Sequence, residues 1–200
     1  MINSSLSEEE KPTYKIIILG KSAAGKTKLL VRYLYETYQD AGNVTVMVDC
    51  SFKTRNNCKY AYYDTAGQEA YRSILNLYFK GTDAVILVYS TDDTSTFDEL
   101  EFYYKKVKEE LPDCLIYIVG CKADLDCVVS PQLVEQTYEV KRHFITSAKK
   151  NIGVDRAFEQ IELDLEKRNK PPSSILLSPG SFSFDVGARK KKKKSGNKCC

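Results

Sequence analysis

Gly20-Lys21-Ser22-Ala23-Ala24-Gly25-Lys26-Thr27 places two glycines, a lysine and a threonine at the spacing G-x-x-x-x-G-K-[ST]. Each residue type has a task on a polyphosphate. A glycine-rich turn that opens a helix aims the backbone N–H groups of Ser22 to Lys28 and the helix N-terminus at one anion. Lys26 adds a point charge at the β- and γ-phosphates, and the Thr27 hydroxyl can ligate Mg2+. The run predicts a nucleoside-triphosphate site.

Such a site needs a scaffold that ends several strands in one place. Short apolar runs alternate with amphipathic segments, the pattern of an α/β domain around a mostly parallel sheet. The pattern predicts strands near 14–19, 44–53, 59–64, 83–89, 114–120 and 142–146, and helices near 26–38, 71–80, 94–110, 131–140 and 152–168. Arg55-Asn56-Asn57 is a turn-like polar cluster, so 44–64 reads as a hairpin interrupting the parallel order. Three further strings follow predicted strands: Asp64-Thr65-Ala66-Gly67-Gln68-Glu69, Cys121-Lys122-Ala123-Asp124 and Ser147-Ala148-Lys149. In open sheets of this class ligands sit at the carboxyl ends of the strands, which predicts one shared site.

Composition narrows the setting. The 200 residues are 42% hydrophobic and 28% charged, ordinary for one soluble domain with a tail. The apolar runs 85–89 and 115–119 are strand-sized, well short of the roughly 20 residues of a membrane helix. The polar N-terminus has neither a signal-peptide core nor a Met-Gly start, which predicts a cytosolic chain. Seven scattered Cys without a metal-like C-x-x-C pair read as reduced thiols. Arg189, Lys190 to Lys194 and Lys198 carry seven positive charges; removing them from the net +3 leaves −4 on the rest. An acidic domain with a basic tail argues against a nucleic-acid partner and for an anionic membrane or charged partner. The division predicted is a flexible N-terminus at 1–11, a domain at 12–168 and a disordered tail at 169–200.

With these motifs in this order, the chain resembles the Ras-like small GTPases over about residues 12–168. The resemblance implies an α/β three-layer P-loop GTPase fold: a six-stranded, mostly parallel sheet with one antiparallel edge hairpin and about five helices. It implies GTP as substrate, GDP as product and Mg2+ as cofactor. On this resemblance Asp64 holds Mg2+ through water, Gly67 admits the γ-phosphate, and Gln68 is the catalytic residue that orients the attacking water. Thr45, 18 residues after Thr27, falls at the switch-threonine position and would complete the Mg2+ shell. Asp124 would accept from guanine N1 and N2, the Lys122 stem would cover the base, and the backbone of Ser147-Ala148-Lys149 would meet guanine O6. Tyr38 stands where the family places an aromatic edge. One departure matters most: Cys121 occupies the place of an Asn that binds the base and braces the phosphate loop, and a thiol is a far weaker hydrogen-bond group. Ala23, Ala24 and Met47 are lesser departures.

Several strings point to the Rab branch: Val48-Asp49, Tyr71-Arg72-Ser73-Ile74, Tyr78-Phe79-Lys80-Gly81 and Leu87-Val88-Tyr89. Against it, Tyr63 stands where Rabs usually have Trp. The closing Cys199-Cys200 has the form on which Rab proteins are doubly geranylgeranylated, and two chains anchor stably where one does not. The resemblance therefore implies a monomeric switch, lipid-anchored on the cytoplasmic face of an intracellular or plasma membrane and cycling with the cytosol. Its partners would be an exchange factor, an activating protein, an escort or dissociation inhibitor, and effectors. Ile175-Leu176-Leu177 is a candidate docking string for the escort protein or a passive apolar patch. Two rival readings stay open: a fast-exchanging guanine-nucleotide binding module with negligible hydrolysis, and a P-loop kinase of small molecules.

Overall fold

The computed structural model of the chain describes residues 11–40, 49–65, 75–138 and 142–168. The elements run β1 (Thr13–Leu19), α1 (Lys26–Tyr35), β2 (Asp49–Arg55), β3 (Cys58–Asp64), α2 (Leu75–Phe79), β4 (Ala84–Ser90), α3 (Thr94–Asp98), α4 (Leu100–Glu110), β5 (Leu115–Cys121), α5 (Pro131–Thr137), β6 (His143–Ile145) and α6 (Val154–Glu166). The six strands form one sheet in the order β2-β3-β1-β4-β5-β6. All neighbours are parallel except β2 and β3.

β1 shows why the sheet is central. Its residues alternate between two buried clusters: Ile16 and Ile18 join Leu29, Tyr33, Phe158 and Ile161, while Ile17 and Leu19 join Phe79, Leu100 and Val107. Helices α1 and α6 therefore cover one face and α2 to α5 the other. A strand buried on both faces needs no polar alternation, and all seven residues of β4 are buried. The β2–β3 hairpin turns at Asn56 and Asn57, with φ of 48° and 61°. Two successive left-handed residues match the twist of a tight hairpin, and Asn tolerates that region better than most.

Several boundaries differ from the sequence-based expectation, among them the helix expected at 131–140, which ends at Thr137, and that expected at 152–168, which runs Val154–Glu166. The helix expected at 94–110 is two helices, α3 and α4, meeting at Glu99. The helix expected at 26–38 ends at Tyr35, because Glu36 adopts φ 56° and donates its N–H to the Arg32 carbonyl. The strand expected at 44–53 is β2 at 49–55; residues 44–48 lie outside the described residues, as do 71–74 of the helix expected at 71–80.

Charged groups inside the fold tie its layers together. Lys15 on β1 is fully buried, and its ammonium donates to the carbonyls of Tyr78 at 2.5 Å and Lys80 at 2.9 Å. It thereby fastens the end of α2 to the sheet, 5.0 Å from the Tyr63 ring centroid. On the opposite face the buried Glu162 carboxylate accepts from the hydroxyls of Tyr33 and Tyr62 and pairs with Arg55 at 3.2 Å. One side chain of α6 thus binds α1, β2 and β3.

Candidate functional site

The loop 20–25 leaves β1 and opens α1. Gly20 has φ 148°, and a Cβ there would sit 2.1 Å from the Val88 carbonyl oxygen, so only glycine fits. Ala23 is held at φ 64°, Ala24 is fully buried beneath the loop, and Ser22 is half-buried. The Lys26 ammonium lies inside the loop and donates to the carbonyls of Gly20 at 2.8 Å and Lys21 at 2.9 Å. Burial lowers its pKa to about 8, and the neighbouring Asp64 opposes that shift.

Parallel pairing of β1 with β3 carries Asp64 to the same end of the sheet. The Thr27 hydroxyl donates to Asp64 Oδ2 at 2.5 Å. These are hard oxygen donors beside the turn that opens α1. That donor set fits Mg2+, which is commonly held by one or two protein oxygens plus substrate phosphates. Thr27 and Asp64 would hold it.

The base-side residues gather at the ends of β5 and β6. Ser147 Oγ donates to Asp124 Oδ1 at 2.5 Å and accepts the Lys150 N–H at 3.0 Å. The Ala123 N–H meets the Thr146 carbonyl at 3.0 Å, which joins the loops that follow β5 and β6. Lys122 adopts φ 64°, and its ammonium lies 3.4 Å from Asp92 Oδ1. Lys149 pairs with Asp40 at 3.2 Å, and the hydrogen bond to Asp40 raises its pKa. Tyr38 is half-buried and lies within 5.6 Å of the Lys28 ammonium by its ring centroid, while the Lys28 ammonium also donates to the Gln39 carbonyl. Burial and then Asp40 raise the Tyr38 pKa.

Cys121 ends β5 directly beneath the phosphate loop. A Cβ on Gly25 would lie 3.1 Å from Cys121 Cβ and 3.5 Å from its sulfur. The thiol is 3% exposed, and burial pushes its pKa up to about 11, so it is a neutral SH group. The Thr146 hydroxyl donates to its sulfur at 3.7 Å.

The structure thus brings together Ser22, Ala23, Ala24, Gly25, Lys26, Thr27, Asp64, Cys121, Lys122, Asp124, Ser147 and Ala148, with Lys28, Tyr38 and Lys149 on its flank. Thr45, Gly67, Gln68, Cys199 and Cys200 lie outside the described residues. Sequence reasoning missed Arg32, whose Nε donates to the Ala148 carbonyl at 2.7 Å, and Asp92. No motif marks either one. Thr146 was also missed, although its place just before Ser147-Ala148-Lys149 was a usable signal.

A protein-family model described as the Ras family matches residues 15–167. The chain belongs to the Ras family of small GTPases, in its Rab branch. It is 32% identical over 193 residues to the Ras-related protein RabC of Dictyostelium discoideum, spanning 91% of this chain and 98% of that protein. It is 29% identical over 181 residues to the Ras-related protein Rab-13 of Bos taurus, spanning 82% and 89%. It is 28% identical over 204 residues to the Ras-related protein Rab-17 of Homo sapiens, spanning 94% and 90%. Membership of this small-GTPase family implies GTP and GDP binding, with Mg2+ as the usual metal.

Proposed function

We propose that this Rab-like GTPase is a lipid-anchored guanine-nucleotide switch that hydrolyses GTP to GDP and phosphate and regulates vesicle traffic. The observation that carries the reading is the convergence of Lys26, the Thr27–Asp64 pair and the Asp124–Ser147 pair at the carboxyl ends of β1, β3 and β5. Phosphate oxygens laid along residues 22–28 would replace the two carbonyls as partners of the Lys26 ammonium. Asp124 would select guanine by accepting two N–H groups that adenine does not offer. Gln68 would orient the attacking water, and Thr45 with Gly67 would register the γ-phosphate. Mg2+ held by Thr27 and Asp64 would neutralise charge on the β- and γ-phosphates. No arginine finger in cis is assigned, so turnover alone would be slow. An activating partner would add roughly 10³–10⁵-fold.

On this reading residues 12–168 act as the monomeric switch domain. The tail 169–200 joins it to a membrane through Cys199, Cys200 and the basic run. An exchange factor, an escort or dissociation inhibitor and effectors complete the cycle. One observation favours a second reading, fast exchange with negligible hydrolysis: the buried Cys121 thiol beneath Gly25 offers little hydrogen bonding. Nucleotide extraction from the purified full chain, followed by titration of GTP, GDP and ATP and phosphate release, separates the two. Bound GDP, GTP preference and slow hydrolysis abolished in Gln68→Leu are expected. Guanine binding without measurable hydrolysis would establish the second reading instead.

A further inference from the structure

The phosphate loop and the base loops meet on a third segment, residues 90–95, which runs from the end of β4 into the first turn of α3. On one side Lys21 Nζ donates to Ser95 Oγ at 3.1 Å, and Ser95 Oγ donates onward to Asp93 Oδ1 at 2.6 Å. On the other side Lys122 pairs with Asp92 at 3.4 Å, and the Ser90 hydroxyl donates to the same Asp92 oxygen. Backbone bonds fix the segment to the base side: Thr91 N–H donates to the Cys121 carbonyl at 2.9 Å, and the Thr91 carbonyl accepts from Val128 at 2.8 Å and Val129 at 3.1 Å. The segment is also closed on itself, with Ser90 N–H donating to Thr96 Oγ1 at 2.8 Å and Thr96 Oγ1 donating to the Asp93 carbonyl at 2.7 Å. It is therefore preorganised before either lysine reaches it.

Lys21 is well placed to transmit that order. Its carbonyl accepts from the Lys26 ammonium at 2.9 Å while its side chain reaches Ser95. Lys21 thus ties the backbone of the loop around Lys26 to residues 90–95. Position 121, between the two loops, carries a buried thiol that contributes packing and almost no hydrogen bonding.

We propose that Asp92 and Ser95 are positioning residues, which brace the phosphate loop through Lys21 and the base motif through Lys122, doing part of what an amide at position 121 would do. The inference rests on the guanine-nucleotide reading above. The test measures release of a fluorescent GDP analogue from the full chain in wild type, Lys21→Met, Asp92→Ala, Cys121→Asn and the Asp92→Ala/Cys121→Asn double variant. Lys21→Met and Asp92→Ala should each speed release about two- to fivefold, the scale of partly exposed polar and charged pairs. In the Cys121→Asn background the Asp92→Ala effect should shrink toward unity, because two braces on one pair of loops are not additive. Unchanged release in both single variants, or the same fold-change in both backgrounds, overturns the proposal. If the purified protein binds no guanine nucleotide, the functional reading falls separately. The brace is then judged by amide exchange in the nucleotide-free chain. Lys21→Met must speed exchange at residues 21–27 and Asp92→Ala at residues 121–125, and unchanged exchange in both overturns it.

Discussion

Cys121 concentrates the chemistry of this chain into one atom. The sulfur lies against Gly25, at the position where the family resemblance implies an amide that braces this loop and binds the base. Exchanging an amide for a thiol removes about 0.5–1.5 kcal/mol per hydrogen bond, or roughly two- to tenfold in affinity. Cys121→Asn is therefore expected to slow GDP release by about that factor, read by displacement of a fluorescent analogue. An unchanged rate would mean that position 121 has no part in nucleotide holding. Burial also makes this thiol a poor nucleophile, since its pKa of about 11 keeps it protonated at neutral pH. It acts by its shape and by the bond it does not make.

Among the elements, α2 has the most unusual attachment. Its end is held by a lysine buried within the sheet. Lys15→Met would leave the carbonyls of Tyr78 and Lys80 unsatisfied and is expected to cost about 1–3 kcal/mol in urea unfolding. The pH dependence has a definite sign. Burial lowers the folded pKa of Lys15 from 10.5 to about 8, so between those values the unfolded chain binds more protons. The stability of wild type relative to Lys15→Met should therefore rise as pH climbs from about 8 towards 10.5, and a flat difference would refute a buried, shifted lysine. Sequence periodicity shows β1 as a strand but says nothing of where the Lys15 head goes, because its carbonyl partners lie more than sixty residues away. The split of 94–110 was hidden for a related reason. Phe97, Leu100, Tyr103 and Val107 all enter one core at helical spacing, so the apolar pattern runs unbroken across Glu99. That residues 20–27, 121–124 and 147–149 gather at one end of the sheet was legible because each string is contiguous and follows a strand. Asp92 and Arg32 were not, since their partners come together only through the sheet order.

Across the whole molecule, the proposed function gives residues 12–168 the switching and residues 169–200 the attachment. If Cys199 and Cys200 carry two lipid chains and the basic run adds on the order of 1 kcal/mol per Lys at an anionic leaflet, replacing both Cys by Ser should move the protein wholly to the soluble fraction. Persistent tight sedimentation with vesicles would sink lipid anchoring. Attachment would also confine many copies to a plane, where collisions between flat surfaces become frequent. The sheet has two edges, and β6 offers only three residues at one of them. At the other, β2 places Lys53 along the strand, and Lys59 lies 4.1 Å from the centroid of the half-exposed Phe52 ring. A cationic rim of this kind discourages strand-by-strand stacking of neighbouring copies into aggregates. The hairpin edge thus supplies colloidal protection for a protein that would work crowded in two dimensions.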